Sequence, residues 1–155
     1  VKGTSMYPYL REGDHVWVHA IDWEKIRIGD LVVFEQNQII FTHRVIKKNA
    51  TNLLTKGDNL LYPDPPVAHG RLLGKVLSIE RDGKQYTIEG RVMILNRVLG
   101  LLHSAIGQVG GFLGNVVEKP ILQRWKKNLH WLGKTLFLPV RALERLLCHV
   151  IQLSN

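Results

Sequence analysis

The sequence is poor in cysteine, and this excludes several classes of protein. A single residue, Cys148, cannot form an intramolecular disulfide, and it cannot supply the cysteine ligands of a structural zinc site. Because it lies close to the C-terminus, a thiol nucleophile is not expected either. Internal repeats and low-complexity tracts are absent as well. With 45% hydrophobic and 22% charged residues, the composition is that of an ordinary globular protein rather than a disordered chain or a fibre.

Acidic residues are scarce in the second half of the chain. The formal net charge is +8, and from residue 92 onward eight Lys and Arg face only two Glu, a balance of +6. A basic, leucine-rich segment without aromatic platforms indicates an anionic lipid surface as a partner and argues against nucleic acid. The chain starts at Val1 rather than Met, so we expect that a further N-terminal segment, with any targeting or anchoring element, precedes it.

Residues 1–91 have the pattern of a β-domain, because short apolar runs alternate with turn residues at spacings too tight for helices. Asp82-Gly83, between two apolar runs, is typical of a β-hairpin turn. The sequence therefore predicts a mainly β fold, a small curled β-domain followed by C-terminal helices. The predicted strands are His15–Ala20, Leu31–Gln36, Ile39–Lys47, Asn52–Thr55, Leu72–Arg81 and Gln85–Ile88.

Residues 92–155 have helical spacing instead and form a predicted basic, amphipathic extension. Its first apolar positions recur at three and four residues: Leu95, Val98, Leu99, Leu102 and Ile106. The uncharged run 98–117 is long enough to cross a bilayer, but its five glycines also suit a break between two surface helices. A second helical stretch after Pro120 either covers the β-domain or lies on anionic lipid.

Three segments carry residue types that could act together in nucleophilic catalysis. Ser5 lies in the turn Gly3-Thr4-Ser5-Met6-Tyr7-Pro8, and His43 lies in the apolar run Phe41-Thr42-His43-Arg44-Val45. A histidine within reach of a serine hydroxyl can act as its general base, and Asp58 or Asp64 could orient the imidazole. Taken singly, each of these residues has an ordinary structural role. No cofactor is expected, and no metal site either, because His15 and His19 lack a third ligand.

Four segments occur in the order and approximate spacing of the conserved boxes of a known family. They are Ser5-Met6-x-Pro8, Gly29-Asp30-Leu31-Val32-Val33-Phe34, His43-Arg44-Val45 and Lys56-Gly57-Asp58-Asn59. Over about residues 3–80 the chain resembles the type I signal peptidases, which are serine endopeptidases. The bacterial majority type has a lysine base directly before the Arg-Val pair. Since His43 stands at that position, the chain is similar to the archaeal and endoplasmic-reticulum subtype, which uses Ser-His-Asp.

The resemblance implies a cap-like β-fold related to that of the self-cleaving SOS repressors, and it implies roles for individual residues. Ser5 would attack the scissile carbonyl, and His43 would take its proton. Asp64 is favoured as the acid that orients His43, with Asp58 as a structural or assisting acid. The Ser5 N–H would contribute to the oxyanion hole. Many relatives have a serine two residues before the nucleophile as a further oxyanion donor, and Gly3 stands there in this chain.

The leading hypothesis is a membrane-associated serine endopeptidase that removes signal or leader peptides from exported or secreted polypeptides. Residues 1–91 would be its catalytic domain, placed outside the cytoplasm, and small side chains would precede the cleaved bond. A variant of the same chemistry is a dedicated maturation protease for one ribosomally made peptide. The alternative from another class is a non-catalytic, repressor-like β module whose basic tail, residues 92–155, binds membrane or nucleic acid.

Overall fold

The computed structural model describes residues 1–88 and 90–117, with Leu138, Ala142, Arg145 and Leu146. The predicted helical stretch after Pro120 lies almost wholly outside these residues. Within them the chain forms seven strands and a helix, which confirms the mainly β class. These elements are β1 (His15–His19), β2 (Leu31–Gln36), β3 (Ile39–Lys48), β4 (Asn52–Lys56), β5 (Val67–Ala68), β6 (Leu72–Arg81), β7 (Lys84–Thr87) and α1 (Gly90–Val117).

All strand pairs are antiparallel and share one curled sheet, in the order β1-β6-β2-β3-β4-β5. Strand β6 is long enough to have several neighbours: its first residues pair with β2, and its later residues pair with β1 and β7. Register shifts interrupt the β1–β6, β2–β6 and β3–β4 pairs. Such bulges bend a strand and increase its twist, which accounts for the predicted curl.

Two hairpins close on two-residue turns with left-handed backbone. Asn37 and Gln38 have φ of 52° and 64°, and Asp82 and Gly83 have φ of 53° and 72°. Positive φ at both central residues is the mark of a type I′ turn, whose twist matches that of the flanking strands. The predicted Asp82-Gly83 hairpin is therefore confirmed. The two-residue strand β5 was not predicted, because it is too short to show an alternating pattern.

Strand β2 lies between two hydrophobic clusters, one on each of its faces. Leu31 and Val33 belong to the first cluster, and Val32 and Phe34 belong to the second. This two-sided burial explains why the strand reads as a continuous apolar run. The other buried members are Met6, Tyr9, Leu10, Val76, Ile79, Tyr86, Val92 and Leu99 in the first cluster, and Trp23, Ile26, Val45, Leu53 and Val67 in the second.

Helix α1 runs without interruption, so the break considered within 98–117 is absent from it. The helix packs on the β-domain through a face that includes two polar residues, Asn96 and His103, besides Val92 and Leu99. Among the apolar residues whose spacing predicted the helix, Leu99 is buried in this face, whereas Val98 and Leu102 are exposed. Among the described residues, no helix combines the length and the hydropathy that a membrane span requires.

Candidate active site

Ser5 lies in an N-terminal turn that the core holds from one side. The Tyr7 N–H donates to the Thr4 carbonyl at 3.1 Å, and the Leu10 N–H donates to the Met6 carbonyl at 2.9 Å. Met6 and Leu10 are buried in the first cluster. Ser5 itself is only partly buried. The turn is therefore anchored by its neighbours, while part of the surface of Ser5 stays exposed.

The loop after β4 lies directly against this turn. The Asn59 N–H donates to the Ser5 carbonyl at 2.8 Å, and the Asn59 side chain donates to the Thr4 carbonyl at 3.1 Å. A Cβ at Gly57 would lie 2.7 Å from the Ser5 carbonyl oxygen, so only glycine allows this approach. The segment Lys56-Gly57-Asp58-Asn59 thus fixes the backbone position of Ser5.

His43 extends from the middle of β3 towards Ser5. Its backbone lies opposite Val32 of β2, and its side chain is only 2% exposed. The Nε2 atom of His43 is 3.0 Å from Ser5 Oγ, a hydrogen-bonding distance. The rings of Phe34 and Phe41 flank the imidazole, with centroids 6.1 and 5.7 Å away. These apolar neighbours limit the orientations that the imidazole can take.

Asp64 contacts the opposite side of the imidazole. Its Oδ2 atom is 2.7 Å from His43 Nδ1 and accepts a hydrogen bond of 2.7 Å from the Thr55 hydroxyl. The Asp64 N–H donates to the Thr55 carbonyl at 2.8 Å, so β4 holds both the backbone and the carboxylate. An ionised carboxylate only accepts, which places the imidazole proton on Nδ1 and leaves Nε2 free to accept the proton of Ser5.

Asp58 forms a buried ion pair with Arg44. Arg44 Nε donates to Oδ1 at 2.8 Å, and Nη2 donates to Oδ2 at 2.6 Å, with both side chains fully buried. Burial alone would raise the pKa of Asp58, but the charge and hydrogen bonds of Arg44 outweigh burial and hold this pKa below its usual value. The neighbouring His103 and Lys56 side chains act in the same direction. The structure thus brings Ser5, His43 and Asp64 together and pairs Asp58 with Arg44.

We expect Asp58→Asn to lower the free energy of unfolding by about 3–5 kcal/mol, because removing one partner leaves the buried Arg44 charge uncompensated. Urea unfolding followed by circular dichroism measures the loss. The matched control is Asp22→Asn, which removes an ion pair with Lys25 whose side chains are 66% and 70% exposed. That change should leave stability nearly unaltered, since exposed pairs contribute little. Equal losses in the two variants would contradict this account of Asp58.

The stability difference between the wild type and Asp58→Asn should depend on pH. Since the pKa of Asp58 is lower in the folded chain than in the unfolded one, its ionised form contributes fully above the unfolded value, about 3.9. This contribution is lost as the pH falls through the folded pKa. The difference between the two proteins should therefore narrow below about pH 4.

Several residues that hold the site were not predicted as site residues. Thr55 binds Asp64, Asn59 binds the Ser5 turn, and Asn96 and His103 of α1 contact the Arg44–Asp58 pair. The sequence contained one indication that Asn96 and His103 are buried. Asn96 and His103 are seven residues apart, with Leu99 between them, and therefore share one helix face. Polar residues on a face that also carries buried apolar ones indicate buried polar partners.

Comparison with known proteins bears on the first half of the chain. Residues 1–77 match the family model described as Peptidase S24-like. This range contains Ser5, His43 and Asp64, and it ends within β6. Comparison with curated proteins and with solved structures gives no match. The family match supports the peptidase superfamily that joins the self-cleaving SOS repressors with the signal peptidases. Residues 1–77 of this chain are therefore similar to the Peptidase S24-like family.

Proposed function

We propose that this protein is a serine endopeptidase that removes signal or leader peptides from exported or secreted polypeptides. The observation that carries the proposal is the continuous contact from Ser5 Oγ to His43 Nε2, at 3.0 Å, and from His43 Nδ1 to Asp64 Oδ2, at 2.7 Å. A serine, a histidine and a carboxylate in this order are the groups of a catalytic triad. Histidine at the base position supports the histidine-base subtype of the signal peptidases.

In the proposed reaction, His43 Nε2 takes the proton of Ser5 as Oγ attacks the scissile carbonyl carbon. The tetrahedral intermediate carries a negative oxygen, which the Ser5 N–H would stabilise. Asp64 stabilises the imidazolium that forms. The imidazolium then gives its proton to the leaving amine, so the peptide bond breaks and an acyl ester on Ser5 remains. Water, deprotonated by His43, hydrolyses the ester and restores the free enzyme.

Association with membrane lipid is a further part of the proposal. The exposed face of α1 carries Ile94, Val98 and Leu101, and residues 92–155 carry a balance of +6. A helix with exposed apolar side chains, in a segment whose sequence is rich in Lys and Arg, suits an anionic lipid surface. A catalytic domain outside the cytoplasm would meet exported precursors there. Flotation with vesicles that contain or lack anionic lipid is the measurement that decides this part.

Ser5 is tested directly with a fluorophosphonate probe, which forms a covalent bond with an activated serine. We expect the wild type to be labelled stoichiometrically and Ser5→Ala not to be labelled, because alanine lacks the nucleophile. The purified protein should also cleave a signal-peptide substrate with small residues before the scissile bond. Thr4→Ala, which changes the neighbouring hydroxyl, is the matched control and should be labelled. Labelling of Ser5→Ala, or none of the wild type, would overturn the proposal.

The S24-like match favours one second candidate, a repressor-like protein that cleaves its own chain. The order of the reaction distinguishes the two. Self-cleavage proceeds at a rate constant independent of protein concentration and leaves an added peptide intact. Cleavage of the added signal-peptide substrate with multiple turnovers supports the signal peptidase, whereas first-order loss of the intact chain supports the self-cleaving protein.

A further inference from the structure

A cluster of polar and charged side chains lies buried between α1 and the β-domain. The buried cluster consists of Arg44, Lys56, Asp58, Asn96 and His103, and none of these residues is more than 2% exposed. Burying ions is costly unless each has partners, and apolar residues of similar volume would often pack as stably. The need to pack the helix on the sheet therefore does not by itself explain why these buried residues are polar and charged.

Asn96 connects the helix to both segments of the proposed active site. Its Oδ1 atom accepts a hydrogen bond of 2.9 Å from Arg44, the residue that follows His43. Its Nδ2 atom donates to the Tyr9 hydroxyl at 2.9 Å. Tyr9 belongs to the turn that carries Ser5, and its ring lies beneath the Arg44 guanidinium, 4.9 Å from centroid to carbon. The Asn96 amide thus contacts both Arg44, which follows the proposed base, and Tyr9, in the turn that carries the proposed nucleophile.

His103 connects the helix to the loop that lies against Ser5. Its Nδ1 atom is 3.0 Å from Lys56 Nζ, and its Nε2 atom is 3.5 Å from Asp58 Oδ1. The ammonium of Lys56 also donates to the Gly57 carbonyl at 3.0 Å. Because an ammonium has no acceptor, it donates to Nδ1, and the proton of the neutral imidazole is on Nε2, facing Asp58. His103 therefore presents a hydrogen-bond acceptor to the Lys56 ammonium and an N–H group to the Asp58 carboxylate.

Backbone contact between two glycines fixes the position of α1. A Cβ on Gly100 would lie 2.5 Å from both Cα and N of Gly29, and a Cβ on Gly29 would lie 2.3 Å from the Asn96 carbonyl oxygen. No other residue pair allows the helix this close to the turn before β2. Such contact leaves little room for sliding, so Asn96 and His103 meet the sheet at a fixed height along the helix.

Each member of the proposed triad is held next to a residue of the buried cluster. His43 precedes Arg44 in β3. Asp64 is held by Thr55, which precedes Lys56 in β4. Ser5 accepts from the N–H of Asn59, which follows Asp58. A displacement of the cluster would consequently shift three chain segments relative to one another.

We propose that α1 is part of the catalytic unit and that His103 and Asn96 are positioning residues, which set the geometry of Ser5, His43 and Asp64 through Lys56, Asp58 and Arg44. This inference rests on the proposed function. It assigns a role in catalysis to a helix that begins at Gly90, beyond the residues matched by the family model. Reaction rates depend steeply on such geometry, and a misplacement of about 1 Å can cost about 10²-fold.

The test compares three substitutions of His103 by peptide cleavage and by the rate of fluorophosphonate labelling. His103→Leu removes both polar contacts, and we expect kcat and the labelling rate to fall about 10²-fold with KM unchanged, because the positioning acts on the reacting groups. His103→Asn places an amide oxygen near the position of Nδ1, and we expect it to restore most of the activity. His103→Gln lacks that acceptor and should fall between the two.

Folding is measured separately, so that a structural role and a positioning role give different results. Rates are expressed per folded molecule, with the folded fraction taken from circular dichroism at the assay temperature. Ala105→Ser, at an exposed position of α1 to which no role is assigned, is the control and should change neither rate. If His103→Leu does not fold, the test relies on the two polar variants. Equal kcat values and equal labelling rates in the wild type, His103→Asn and His103→Gln would overturn the inference. An unlabelled wild type would instead refute the proposed function, and the inference with it.

Discussion

Replacing His43 by alanine is expected to lower kcat for peptide cleavage by about 10⁶-fold, the loss typical of removing the base of a serine triad. The hydroxyl of Ser5 would keep its position but would lose the imidazole that takes its proton. Single-turnover cleavage with enzyme in excess measures rates this low. The rate of fluorophosphonate labelling should fall in parallel, because it depends on the same proton transfer.

The control for this experiment is His19→Ala, which removes an exposed histidine of β1 and should leave kcat unchanged. Circular dichroism must show that His43→Ala is folded, since the imidazole is buried between Phe34 and Phe41. A missing triad base costs about 10⁶-fold in kcat. His43 would therefore be excluded as the base if the folded His43→Ala protein retained more than about one hundredth of the wild-type kcat.

Asp64→Asn is expected to lower kcat by about 10⁴-fold with little change in KM. The amide has nearly the shape of the carboxylate, and its oxygen can still accept from Thr55. It carries no charge to stabilise the imidazolium, however, and its NH₂ group can donate to Nδ1 and so favour the wrong tautomer. Steady-state kinetics with the signal-peptide substrate measures the effect.

The same substitution at two other aspartates shows whether Asp64 is special. Asp82→Asn lies in a left-handed hairpin position that asparagine also tolerates, so kcat should not change. Asp58→Asn should lower stability, as described above, and should lower kcat by no more than the roughly 10²-fold expected when the buried cluster is displaced. If Asp58→Asn lost about 10⁴-fold in kcat per folded molecule and Asp64→Asn did not, the assisting acid would be Asp58 and the triad assignment would be wrong.

The β-domain could be predicted closely because its strands are short apolar runs and its turns are marked by local residues. The Leu31–Gln36 and Leu72–Arg81 strands were predicted with the bounds that the structure has, and Asp82-Gly83 forms the expected turn. Helix α1 was predicted as a helix, but not the face that it buries. Apolar spacing favoured Val98 and Leu102, whereas the structure buries Asn96 and His103. Buried charges on the sheet determined that face, and helix periodicity alone does not show them.

In the candidate site, too, residues within sequence motifs could be predicted, whereas contacts between distant segments could not. The motifs identified Ser5, His43 and the two aspartates, and the favoured order of Asp64 over Asp58 agrees with the distances, although its catalytic meaning stays a prediction. The partners of these residues could not be predicted in the same way. Thr55 contacts Asp64 because the loop of residues 57–63 brings the chain back to β4, and such a contact depends on the three-dimensional path of the loop.

The position of α1 has a practical consequence for anyone who prepares the S24-like segment by itself. A fragment truncated at residue 77, where the family match ends, would cut β6 in its middle and would lack β7 and the helix. Arg44, Lys56 and Asp58 would then be open to solvent on the side that the helix now shields. Expression vectors should therefore extend through the helix, because the family match ends inside the folded sheet.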